Sequence, residues 1–102
     1  NIITEGAIRN IFFIKNNIIY TPSLDLGILD GVTRAKILEL GTKLNYQISE
    51  SIIRYDEINQ MDEAFITSTA IGVLPCYWDG WNSNYSTTLN LKKHYNKMVK
   101  IQ

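Results

Sequence analysis

The sequence predicts a mixed α/β (α+β) domain in which strands and helices alternate along the chain. Three observations carry that prediction: two apolar, β-favouring runs meet at Asn16-Asn17, an amphipathic helical pattern follows Asp30, and a second helical stripe starts near Ser86. With 102 residues, 45% of them hydrophobic, the chain suits one small folded domain and is too apolar for disorder.

Residues 9–21, RNIFFIKNNIIYT, read as a β-hairpin, because an Asn-Asn pair tolerates the left-handed backbone of a tight turn. Pro22 ends the second strand, and SLDLG continues as a loop to Gly27. Asp30 stands where a side chain could cap the next helix, in which Ile37, Leu40, Gly41 and Leu44 recur on one face. YQISESIIRY at 46–55 resembles a strand, DEINQMD a short helix or turn, EAFITST a strand ending in hydroxyls, and GVLPCYW a further strand. After the polar loop DGWNSNYS, the last helix places Leu91, Tyr95 and Met98 on one stripe.

Ten acidic and ten basic side chains cancel, which removes the bulk electrostatic case for nucleic acid or an anionic membrane as main partner. The charge is uneven: every acid lies at or before Asp79, and Lys92, Lys93, Lys97 and Lys100 crowd the end, where they read as a solvated helix face. One cysteine, Cys76, allows no internal disulfide, and with a single histidine no Cys/His metal cluster can form, so a reducing, cytoplasmic location is expected and no metal. There is no run of eighteen apolar residues and no signal-peptide pattern, and the sequon Asn84-Tyr85-Ser86 then reads as chance. The opening without methionine, almost directly into a strand, suggests a piece of a longer protein.

Three polar clusters sit at the ends of expected elements: Glu5 before the hairpin, Gly31-Val32-Thr33-Arg34 at a helix start, and Thr67-Ser68-Thr69 where a strand ends. A helix start has unpaired N–H groups and positive partial charge, and threonine hydroxyls add donors, so the latter two suit a phosphate. Each also has an ordinary structural reading: Thr33 as part of a first helical turn, the hydroxyl run as a satisfied strand end, Glu5 as an exposed loop carboxylate. His94 among lysines reads as solvent-exposed and Cys76 as a small buried hydrophobe, while Trp78 and Trp81 read as packing over a turn rather than as a ligand wall.

Taken in order, TEGAIRNIFFIKNNIIYTPSLDLGILDGVTR, then DEAFITSTAIGVLP, then TTLNLKKHYNKMV resemble the C-terminal part of a class IV aminotransferase, the fold type IV family of pyridoxal 5′-phosphate enzymes. The resemblance implies that residues 1–102 are a fragment of the larger C-terminal cofactor-binding domain, a mostly antiparallel half-barrel with flanking helices. It also implies pyridoxal 5′-phosphate as cofactor, an amino-acid or aminodeoxychorismate substrate, and a homodimer. By the same resemblance Glu5 pairs with the protonated pyridine nitrogen, and Leu29 packs on the ring. Val32, Thr33 and Thr69 hold the phosphate, and Ser68 and Ala70 approach the substrate carboxylate.

The family's Schiff-base lysine lies upstream of Glu5, beyond the start of this sequence, as does the smaller N-terminal domain; Lys15 and Lys36 match no such role. The isolated piece is therefore expected to be inactive, to have at best a partial cofactor site, and to expose apolar surface that favours association. Gly72 stands where many members carry a glutamate. Residues 20–34, YTPSLDLGILDGVTR, read closest to 4-amino-4-deoxychorismate lyases, FITST equally to D-amino-acid aminotransferases and NIFFI to branched-chain enzymes. The lyase is the leading reading, transamination of branched-chain or D-amino acids the alternative. A non-catalytic binding or assembly module is the alternative of another class.

Overall fold

The computed structural model describes residues 2–3, 10–22, 31–68, 72–77 and 82–100. Its elements in chain order are β1 (Ile2–Ile3), β2 (Asn10–Lys15), β3 (Ile18–Thr21), α1 (Val32–Lys43), β4 (Gln47–Glu50) and β5 (Ile53–Arg54). A 3-10 helix (Tyr55–Gln60) follows, then β6 (Glu63–Ser68), β7 (Gly72–Pro75) and α2 (Ser86–Lys100).

The hairpin forms as expected. Asn16 and Asn17 both take positive φ, 53° and 63°, the conformation of a two-residue type I′ turn, whose twist matches that of the flanking strands. The turn is tied down from outside, because the Asn16 N–H donates to Asp62 Oδ2 at 2.9 Å and the Asp62 N–H donates to the Ile14 carbonyl at 2.7 Å.

Strand order in the five-stranded sheet is β4-β3-β2-β6-β7. Among the described strand pairs only β3–β4 is parallel, because α1 lies between those strands in sequence and carries the chain back over the sheet. After Lys43 and the cap residue Leu44, the φ of 69° at Asn45 lets the Tyr46 N–H reach Gly41 O at 2.8 Å and the Asn45 N–H reach Thr42 O at 3.1 Å. This paired closure satisfies helix-end carbonyls and turns the chain into β4. Gly41 lets α1 lie close to the sheet: a Cβ there would meet Ile19 Cδ1 and Ile48 Cδ1, each at 3.1 Å.

β2 is covered on both faces, and alternation along it decides which core each residue joins. Phe12 and Ile14 point to the helix side with Ile19, Ile37, Leu40, Phe65, Val73, Leu91 and Tyr95. Phe13 points the other way, into a smaller cluster with Ile53, Met61 and Ala64, against which Ile11, Tyr20, Ile58 and Cys76 pack. The predicted helix faces therefore hold: Ile37, Leu40 and Gly41 are buried on α1, and Leu91 and Tyr95 on α2, with Leu44 and Met98 half-buried beside them. Cys76 is half-buried against the smaller cluster, in keeping with a hydrophobic role.

Several details differ from the sequence reading. The expected strand at 46–55 is two strands, β4 and β5, separated by Ser51 and Ile52, because β4 pairs with β3 whereas β5 leaves the sheet to pair with β1. The strand expected through GVLPCYW ends at Pro75. The cap position of α1 is Gly31, not Asp30, which lies outside the described residues. His94 is half-buried rather than exposed, its Nδ1 2.9 Å from the Asn90 carbonyl one turn back. A carbonyl only accepts, so Nδ1 carries the proton.

Candidate functional site

The two helix starts are built differently, and the difference marks a candidate site. At α2 every early N–H has a side-chain acceptor: Tyr85 donates to Ser83 Oγ at 3.0 Å, Ser86 to Asn84 Oδ1 at 3.2 Å, Thr87 to Glu63 Oε2 at 3.0 Å and Thr88 to Glu63 Oε1 at 2.6 Å. The first intrahelical bond is then Leu89 N–H to Tyr85 O at 2.8 Å. Glu63 is buried at the start of β6, so its carboxylate closes this helix end from inside the protein and meets the positive end of the helix dipole.

Among the described residues α1 has no such closure. Its cap residue is Gly31, no side chain caps it, and its first turn carries no acid. The first intrahelical bond is Ala35 N–H to Gly31 O at 3.1 Å, so the N–H groups of Val32, Thr33 and Arg34 precede the ladder. Val32 is 65% exposed and its side chain has no polar atom, so toward an anion it can act there only through its backbone.

Sheet register determines what surrounds this open end. Asn10 opens β2 and pairs with Thr67 near the end of β6, and a Cβ on Gly31 would fall 2.5 Å from Asn10 Oδ1. Gly31 is thus the residue that lets the helix start approach the β2–β6 pair. Thr67 continues the Phe65 side of β6 and faces the helix layer, and its Oγ1 is buried without a hydrogen-bond partner among the described residues. A buried hydroxyl left unpaired is costly and calls for a ligand or an acceptor. Thr33, also buried, has its Oγ1 3.4 Å from the Tyr95 hydroxyl on α2. Arg34 turns away: one guanidinium nitrogen donates to Glu50 Oε1 at 2.7 Å and to the Pro22 carbonyl at 3.2 Å, which ties α1 to β4 and to the end of β3.

Of the residues singled out from sequence, Val32 and Thr33 lie at the open helix start, and Ser68 ends β6 next to Thr67 on the opposite face of that strand. Glu5, Leu29, Thr69 and Ala70 lie outside the described residues. The sequence reading gave no individual role to Thr67 and missed Asn10. For Thr67 the signal was available: it is a hydroxyl two residues from Phe65, at an inward position of the same strand. For Asn10 there was none, because its relevance comes from Gly31 lying against it.

A recess of about 410 Å³ between the C-terminal end of α1 and α2, lined by Leu40, Lys43, Leu44, His94, Lys97 and Met98, lies away from this corner, since Leu40 is two helical turns from Thr33. Among the described residues no group of histidine, cysteine and acidic side chains could hold a metal ion, and no helix is long and apolar enough to cross a membrane.

Two groups with displaced titration also lie outside the corner. Burial pushes the Tyr85 phenol above its usual range, with the nearby Tyr77, Cys76 and Glu63 acting in the same direction, and burial pushes the Cys76 thiol up. The Tyr85 hydroxyl also donates to the Cys76 carbonyl, a bond available only to the neutral phenol. Both groups bind their proton more tightly folded than unfolded. Their contribution is therefore fully present below the unfolded values, about 8.5 for a thiol and about 10 for a phenol, and is lost as pH rises through the raised folded values. Urea midpoints are expected to be insensitive to these groups near neutrality and to fall above about pH 9, with Tyr85→Phe flattening the alkaline slope.

Comparison with known proteins places this arrangement in context. The family model described as amino-transferase class IV matches residues 1–77. The branched-chain-amino-acid aminotransferase of Pseudomonas aeruginosa is 42% identical over 73 residues, 72% of this chain and 24% of that protein. The aminodeoxychorismate lyase of Bacillus subtilis is 38% identical over 73 residues, 72% of this chain and 25% of that protein. Among solved structures, the branched-chain amino acid aminotransferase of Thermobaculum terrenum, in its PLP form, superposes with a TM-score of 0.88 at 25% identity, covering 96% of this chain and 34% of that one. The chain spans about a quarter of the length of these curated relatives.

Proposed function

The chain belongs to the class IV aminotransferase family, and from that premise we propose that it is the cofactor-binding part of a larger pyridoxal 5′-phosphate enzyme, with the α1 N-terminus as the phosphate site. The observation that carries the reading is the pairing of a helix start that no described side chain caps with the buried hydroxyl of Thr67, which has no partner among the described residues.

The residues fit the group. A phosphate ester offers only acceptors at neutral pH once ionised, and the corner offers donors: the early N–H groups of α1 and the hydroxyls of Thr33 and Thr67, with no acid in the first turn of the helix. In this reading Val32 contributes its backbone N–H, Thr33 its N–H and hydroxyl, and Thr67 the hydroxyl that has no partner among the described residues. Thr69 adds a further phosphate donor. Glu5 would accept a hydrogen bond from the protonated pyridine N–H, favouring the cationic ring, and Leu29 would pack on the ring face. Ser68 and Ala70 orient the substrate carboxylate through backbone groups. When bound, pyridoxal phosphate supplies an electron sink for negative charge at the substrate α-carbon. The lysine that carries the cofactor comes from another part of the enzyme.

For the reaction, the reading favoured by residues 20–34 is conversion of 4-amino-4-deoxychorismate to 4-aminobenzoate and pyruvate. The similarity to branched-chain aminotransferases favours amino-group transfer to a 2-oxo acid as the second reading. Release of both products by the full-length protein without any added 2-oxo acid supports the lyase. Glutamate formation from leucine or D-alanine only when 2-oxoglutarate is supplied supports the transaminase.

The phosphate site has its own test, independent of the substrate. A hydrogen bond to a charged acceptor contributes about 1.5–3 kcal/mol, so Thr33→Val in the full-length protein is expected to weaken pyridoxal phosphate binding by about tenfold or more. Thr33→Ser should stay near wild type. Cofactor titration of the apoprotein by fluorescence quenching reads both.

A further inference from the structure

Tyr95 stands on α2, outside the residues that the family model matches, yet it touches two of the segments that meet at the α1 corner. Its hydroxyl is 3.4 Å from Thr33 Oγ1. Its ring edge lies against Gly72, where an added Cβ would come 3.3 Å from Tyr95 Cε2 and 3.7 Å from Cδ2. Gly72 has a φ of +79°, which a side chain rarely adopts, and it opens β7 opposite Ser68 in the β6–β7 pair. One aromatic residue, 7% exposed, therefore braces both the helix start and the first residue of β7.

We propose that Tyr95 is a positioning residue for the cofactor-phosphate site, holding the Thr33 hydroxyl in the orientation in which it donates to the phosphate; this rests on the phosphate reading given above. The reasoning is one of proton inventory. A threonine hydroxyl has one proton to give and lone pairs to accept with, and an ionised phosphate oxygen only accepts. For Thr33 to donate to phosphate, its contact with Tyr95 must be one in which the phenol donates and Thr33 accepts. The phenol then occupies a Thr33 lone pair and leaves the single proton directed at the ligand. Without that donor, the Thr33 hydroxyl is free to rotate, and part of its preorganisation is lost.

Tyr95→Phe removes the donor and keeps the ring that packs on Gly72. In the full-length protein the variant is expected to weaken pyridoxal phosphate binding to the apoprotein by about three- to tenfold, the scale of one neutral hydrogen bond. The apoprotein should melt within a degree or two of wild type. The decisive readout is the cycle with Thr33→Val: if Tyr95 acts through Thr33, Tyr95→Phe adds little further loss in the Thr33→Val background. Wild-type affinity in Tyr95→Phe beside a weakened Thr33→Val overturns the inference and leaves the site reading standing. An equal loss from Tyr95→Phe in both backgrounds also overturns it, since the phenol then acts independently of Thr33. Wild-type affinity in Thr33→Val overturns the site reading and the inference together.

Discussion

Phe12→Ala is expected to lower the stability of the full-length protein by about 3–5 kcal/mol, the range for deleting a buried aromatic side chain. Phe12 is 0% exposed on the central strand, and its ring stacks on Phe65 of the neighbouring strand with centroids 4.8 Å apart and planes 11° from parallel. The pair sits between the sheet and both helices, in the cluster that includes Ile37 of α1 and Leu91 and Tyr95 of α2. Removing one ring forfeits its transfer energy, leaves a cavity that the two flanking helices cannot both collapse into, and loses the stacking, worth about 0.5–1.5 kcal/mol. Phe65→Ala should cost a similar amount, and the double variant less than the sum, because the second truncation no longer breaks a stack. Denaturant midpoints of the three variants check this, and strict additivity would show that the rings contribute independently. Phe12→Leu, which keeps most of the volume, should be the mildest replacement.

The second large effect is expected at Glu63, where replacement by alanine should cost about 3 kcal/mol. This carboxylate accepts the N–H groups of both Thr87 and Thr88, at 3.0 and 2.6 Å, from a buried position at the start of β6. Alanine leaves two buried donors without a partner and removes a negative charge from the positive end of α2. Glu63→Gln tests the components, since the amide retains one acceptor oxygen and loses the charge; it should fall between wild type and alanine. Hydrogen exchange at the first turn of α2 gives a local readout, with Thr87 and Thr88 losing protection before the core strands do. Retained protection in Glu63→Ala would mean that other groups close this helix end.

These two effects bear on the proposed site through geometry. The strand that carries Phe65 and Glu63 also carries Thr67, at successive inward positions, so the β6 residues that anchor the helix layer and the hydroxyl at the proposed phosphate corner share one backbone. Loosening either anchor is expected to weaken cofactor binding as well as stability, whereas Thr33→Val should affect binding with little change in folding. That contrast separates residues that build the corner from residues that face it.

The sequence by itself determined what is local. The Asn16-Asn17 turn was readable because two consecutive left-handed residues suit a two-residue hairpin and asparagine tolerates them. The inward faces of α1 and α2 were readable because helical periodicity is written in the order of residues, and the family resemblance was readable because its motifs are contiguous. Strand order, the closure of α2 by Glu63 and the contact of Tyr95 with Thr33 were decided only by the tertiary structure. Glu63 lies 24 and 25 residues from the N–H groups it accepts, and Tyr95 lies 62 residues from Thr33. No propensity or spacing connects positions so far apart. They meet because β2 pairs with β6, α1 crosses from β3 to β4 and the sheet must bury Phe12 and Phe65 under both helices, and that burial, a collective free energy of the whole chain, decides which distant polar groups become neighbours.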